Sequence, residues 1–177
     1  TDGSITVSAT GLITATDVVT GNNNNVNLTG TGIAVSLINA GTSGDVTLNA
    51  GTGAITQDGT DDKDDVTADV LTADATVGID LDTTVASANI SVSGTGVITL
   101  DESDSIILTD LDTVNGTITV TSGGAMTATD IQAGTNSNIA LTTTTGDITG
   151  VGTITAGTGN VVLVSAASVI DDGISST

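Results

Sequence analysis

A chain of 177 residues that sets 21 acids against a single base, Lys63, and has no aromatic, His, Cys, Pro or Arg residue has few chemistries open to it. Its formal charge of −20 denies it the basic surface that phosphate backbones and anionic lipids require, so neither a nucleic-acid partner nor binding to a membrane surface is expected. Without Cys there are no disulfides or thiolate metal sites, without His the commonest general base is gone, and no run is long and apolar enough for membrane insertion.

Read from the N-terminus, the chain is built of short strands. Ile5-Thr6-Val7 opens a series of apolar–polar–apolar triplets that continues as Val26-Asn27-Leu28 and Val46-Thr47-Leu48. The series returns as Ile90-Ser91-Val92, Ile118-Thr119-Val120, Ile139-Ala140-Leu141 and Val161-Val162-Leu163. Most neighbouring triplets stand about 21 residues apart, and period-two alternation puts the first and third residue of each on one side of a strand. Gly introduces a second segment in each period, as in Gly11-Leu12-Ile13-Thr14, Gly53-Ala54-Ile55-Thr56 and Gly96-Val97-Ile98-Thr99. A third follows, as in Asp17-Val18-Val19 and Asp130-Ile131-Gln132.

Three short strands divided by Gly, Asn or Asp turns make one coil of a parallel β-helix, with Gly at corners that need positive φ. The expected fold is therefore all-β: a single β-solenoid segment over residues 1–177, a right-handed parallel β-helix with three-strand coils of about 21 residues. Roughly eight coils would make a rod about 40 Å long. A narrow interior that stacks like on like accounts for the missing aromatics, and the ladder accounts for the missing Pro.

The middle departs from this pattern. The run from Asp58 to Asp65 is too charged for a coil and reads as an acidic loop, 58–65, leaving the rod. Between 66 and 88 the register stays open, because both Val66-Thr67-Ala68 and Ile79-Asp80-Leu81 can start a coil. The stretch from Asp101 to Ser105 reads as a second acidic break that widens the interval from Ile90 to Ile118.

A longer period overlies the short one. The stretch from Gly3 returns from Gly116, so that Ile5 matches Ile118, Asp17 matches Asp130, Gly21 matches Gly134 and Leu28 matches Leu141. With small gaps, Gly41-Thr42 matches Gly157-Thr158. The chain is thus about one and a half copies of a unit of about 114 residues, a first copy over 3–115 and a partial second over 116–177.

Gly-x-Ile-Thr-Val, Gly-x-Ile-Thr-Ala-Thr-Asp-Val and Gly-Asp-Val-Thr-Leu-Asn-Ala-Gly-Thr-Gly-Ala-Ile-Thr resemble the β-solenoid repeats of filamentous-haemagglutinin-like exoproteins and giant bacterial adhesins. The resemblance covers nearly the whole chain. It implies an extracellular or cell-surface rod with a structural or adhesive role in a filament, stalk or matrix. Its partners would be further copies stacked head to tail, or the continuation of a longer chain, together with a host or neighbouring-cell surface.

Asp58, Asp61, Asp62, Asp64 and Asp65 are the metal-site candidates, since clustered carboxylate oxygens suit calcium. They lack the EF-hand spacing and the Gly-Gly-x-Gly-x-Asp nonapeptide of calcium-binding β-rolls, and the plainer reading is a solvated loop. The same choice applies to Asp101, Glu102, Asp104, Asp110 and Asp112. Asp17 and Asp130 read as turn residues. Asn22 to Asn25 read either as an interior amide ladder or as an exposed turn. Thr14 with Thr16 and Thr127 with Thr129 read as ordinary strand surface. No cofactor other than calcium is expected, and catalysis is not. Two rivals stand beside the adhesive rod: a calcium-stabilised surface-layer or biofilm-matrix protein, and tandem β-sandwich adhesin repeats, whose domain length the long unit matches.

Overall fold

Isoleucine stacks on isoleucine along one interior column of the molecule. Ile13, Ile33, Ile55, Ile79, Ile98, Ile118 and Ile139 pair in parallel register, and Val161 closes the row. From Ile33 to Ile139 each is at most 1% exposed. Burying one such side chain stabilises the fold by about 1.5–3 kcal/mol, and a column in which every neighbour has the same shape leaves no voids. The computed structural model describes residues 3–21, 24–57 and 64–171. They contain strands and turns without any helix, wound into a parallel β-solenoid of about seven turns with coils of about 21 residues, where the spacing predicts roughly eight.

Each coil has three faces. The column just described lines the second. The first face carries Ile5, Val26, Val46, Leu71, Ala88, Leu108, Ala128 and Gly150 in one inward column. Beside it on that face, Val7, Leu28, Leu48, Ala73, Ile90, Leu111, Ile131 and Ile154 form another. On the third face Val18, Ile38 and Val66 pair, and Val66 pairs onward with Thr83 at the corner.

This register settles the middle of the chain. Val66-Thr67-Ala68 and Ile79-Asp80-Leu81 are both in the rod, on the third face of one coil and the second face of the next. The strands here are long: Val66–Ala75 bends through one corner and Gly78–Val92 through two, without a break. Neither contains an interior Gly, so composition marks no corner there. The break expected at 101–105 is shorter than the acidic run and spans only 103–105. Asp101 and Glu102 belong to the strand Ile98–Glu102, which pairs without a slip. The interval from Ile90 to Ile118 is wide because Ile90 lies on the first face and Ile118 on the second. The triplet series therefore belongs to two faces, not to one column.

The same fact changes the meaning of the long repeat. Ile5, on the first face, matches Ile118 on the second. Ile13, on the second face, matches Met126, which continues into the third through Ile106 and Ile148. Val18, on the third face, matches Ile131 on the first. Five coil steps carry Ile13 to Ile118, and the remaining residues from Ile5 to Ile13 add one more face. One unit is thus five turns and a third, and local conformation travels with it. Gly41 turns the corner into the first face at φ 73, and its match Gly157 turns the corner into the second at φ 56.

Where coils meet at the entry to the second face, backbone lies against backbone. A Cβ on Gly96 would stand 1.5 Å from the carbonyl oxygen of Val77, and one on Gly116 would stand 1.7 Å from that of Gly96. No side chain fits there, which is why Gly recurs before this strand.

Candidate functional site

The interior is not apolar throughout. Past Val66 the corner column continues as Thr83, Glu102, Ser122 and Thr143, paired one above the next. Their exposures are 0%, 4%, 0% and 3%. Each occupies the inward slot two residues after a Leu or Val of the second face: Leu81, Leu100, Val120 and Leu141. Strand alternation forces these side chains inward, and each finds hydrogen bonds there. The Ser122 hydroxyl donates to the Asp104 carbonyl at 2.6 Å, and that of Thr143 to the Gly146 carbonyl at 3.0 Å.

Glu102 is the ionisable member. Its Oε2 accepts the Thr83 hydroxyl at 2.8 Å and the Val85 amide at 3.0 Å, and its Oε1 accepts the Asp104 amide at 3.2 Å. Burial pushes this carboxyl up to about 7, against the opposite pull of those donors. Proximity to the Asp104 carboxyl raises it further. Composition groups Glu102 with solvated or cation-binding acids; its parity with Ile98 and Leu100 is the signal that places it inside.

Above Glu102 lies a shallow groove of about 340 Å³, lined by Asp64, Asp82, Asp101, Glu102, Ser103 and Thr121. Asp82 and Asp101 are direct cross-strand partners, a like-charge pair that opposes the ladder. Asp64 accepts hydrogen bonds from the Thr84 and Ser103 hydroxyls of the next two coils. Asp65 is 3% exposed, and its backbone is already in the ladder, donating to Asp82 and accepting from Ile38. Asp58, Asp61, Asp62 and Lys63 lie outside the described residues, so the rest of the acidic run has no structural account. Among the described residues no three acids gather closely enough to hold a metal ion.

A second acidic group sits on the first face. Burial, and then the charges of Asp110 and Asp130, hold the Asp112 carboxyl above its usual range, and its Oδ1 is buried without a hydrogen-bond partner. Asp130 lies within the strand Met126–Gln132 and accepts from the Gln132 side chain at 3.1 Å, where the sequence suggests a turn.

The asparagines take a role between the two expected. Asn22 and Asn23 lie outside the described residues. Asn25 accepts the Asp45 amide of the next coil at 3.0 Å on its exposed side chain, and its match in the second copy, Asn138, accepts the Asn160 amide at 2.8 Å. They are inter-coil staples on the outside of corners. Thr14 pairs with Ala34, and Thr127 pairs with Ile107 and Thr149, so the threonines form no continuous column. No family model, curated protein or solved structure matches this chain.

Proposed function

We propose that the chain is a stretch of structural or adhesive rod from a secreted or cell-surface bacterial repeat protein of the filamentous-haemagglutinin-like kind. Its work would be length and surface in a filament, stalk or matrix. The observation that carries this reading is how polarity is distributed along the solenoid. Most of the acids lie in the middle coils, whereas 148–170 holds no charged residue and 3–44 holds only Asp17. At one end Val7, Leu12 and Val19 are exposed, and at the other Val162, Val164, Val169 and Ile170. The strands Ile5–Ser8 and Val161–Val164 also present backbone edges that no described coil covers. A parallel coil of matching triangular section satisfies such an edge, and like-charge repulsion is weakest there. Further coils, of the same polypeptide or of a copy stacked head to tail, are the fitting cover.

Electron microscopy and small-angle scattering across a concentration series test this. Thin unbranched rods of constant cross-section that lengthen with concentration are expected. Globular beads in place of rods would overturn it, and rods of constant length would exclude the stacked copy as the cover.

A further inference from the structure

Of the asparagines in the chain, only Asn115 is followed by Gly. It is exposed at the bend between the strands Ile106–Thr113 and Ile118–Ser122, where the first face gives way to the second. The turn is fixed at both ends. The Val114 amide donates to the Val92 carbonyl of the coil below at 3.2 Å, and the buried Thr113 hydroxyl donates to the Gly116 carbonyl. That hydroxyl also accepts the Gly134 amide of the coil above at 3.4 Å. The peptide that joins Asn115 to Gly116 is left out: among the described residues neither its carbonyl nor its amide makes a hydrogen bond.

The other asparagines among the described residues are placed differently. The amides that follow Asn25, Asn39, Asn136 and Asn138 donate to backbone carbonyls at 2.9–3.1 Å. Those that follow Asn27, Asn49 and Asn89 lie within paired strands. Asn24 and Asn160 precede Asn25 and Val161, whose side chains crowd the amide, whereas Gly116 has no side chain to do so.

We propose that Asn115 is a self-modifying site of the folded rod. Once hydroxide takes its proton, the Gly116 nitrogen attacks Cγ of Asn115 and a C–N bond forms. The side-chain nitrogen leaves as ammonia with a proton from water, which restores the hydroxide, and a cyclic imide remains. Water then opens the ring. Addition at Cγ gives aspartate; addition at the main-chain carbonyl gives isoaspartate, whose main chain runs through Cγ and is one atom longer. Either product adds a negative charge to the corner. The corner has no room for the longer chain. A Cβ on Gly116 would stand 1.7 Å from the Gly96 carbonyl oxygen, and one on Gly134 would stand 1.7 Å from that of Val114. Backbone already lies against backbone below and above the turn, so isoaspartate loosens the strand ends that flank it.

Native protein and protein unfolded in urea, aged side by side at mildly alkaline pH, test this by digestion and mass spectrometry. Exchange of the amide for a carboxylate raises the mass, whereas isomerisation at Asp-Gly pairs does not. In the native protein Asn115 should convert first, at a rate within about tenfold of its rate in urea, because no ladder bond has to break. Asn136, followed by the held amide of Ser137, should be slowed far more by folding. A mass gain that appears first at another asparagine, or folding that slows Asn115 as much as Asn136, would overturn the proposal. A protease that cuts before aspartate and not before isoaspartate tells the two products apart. The Val114 and Ile118 amides should exchange faster in the isoaspartate form than in Asn115→Asp, which carries the charge without the extra atom. Equal exchange in the two would overturn the crowding of the corner.

Discussion

Val18, Ile38 and Val66 occupy the same interior column as Thr83, Glu102, Ser122 and Thr143, yet the two stretches hold their coils together by different means. In the first, apolar contact does the work. It is strong per residue, roughly proportional to area and indifferent to direction. In the second, hydroxyl and carboxyl groups must each find a donor or acceptor at a fixed place, so every coil is pinned to particular atoms of its neighbours. The apolar stretch lies where the column belongs to regular third-face strands. The polar stretch lies where strands bend from the second face toward the third and leave amides and carbonyls to be satisfied.

The sharpest way to test this contrast is to delete from each stretch. Ile38→Ala opens a cavity in the apolar part and should cost about 2–5 kcal/mol in urea unfolding. Glu102→Ala should cost about 1–3 kcal/mol for each backbone donor it strands, and most of that should return in Glu102→Gln. If Glu102→Gln recovered nothing of the loss in Glu102→Ala, the division between the stretches would be wrong. Exchange between stretches is the next test. Val66→Thr places a hydroxyl where no acceptor is arranged, and should cost about 1–3 kcal/mol. Ser122→Ala, which removes one satisfied hydroxyl, should cost only about 0.5–1.5 kcal/mol.

The surface should give the smallest effect. Asp101→Asn relieves the cross-strand pair with Asp82, and should stabilise by about 0.2–1 kcal/mol at low ionic strength. That gain should vanish in moderate salt, where exposed charges are screened. Where screening alone is at work, calcium and sodium at equal ionic strength give coincident melting curves for the wild type. A specific calcium effect would instead point to chelation by the acidic run.

Much of the architecture can be read from the chain itself, and the failures have physical causes. Ile-Thr-Val and its relatives announce a strand that is buried on one side, and their spacing announces the coil. They do not say which face is being built, because all three faces need the same pattern. The triplets at Ile90 and Ile118 therefore look like one widened column when they are two. The bends within Val66–Ala75 and Gly78–Val92 are silent because β-branched and small residues carry the chain around without Gly. Among candidate site residues, Asp65 and Glu102 look like solvated acids by composition. Period-two parity with Ile98 and Leu100 places Glu102 inside, yet an uncompensated charge in a core is costly enough that composition argues against it.

A unit of five turns and a third behaves like a screw thread. Each unit added in tandem turns its whole surface by one face, and only the fourth stands in line with the first. A flat partner lying along the rod would meet the same face of the unit once in every three units, about 16 turns or 75 Å apart by the strand spacing. Rods packed side by side would each offer that face in three directions, so no neighbour in a bundle would be favoured over another.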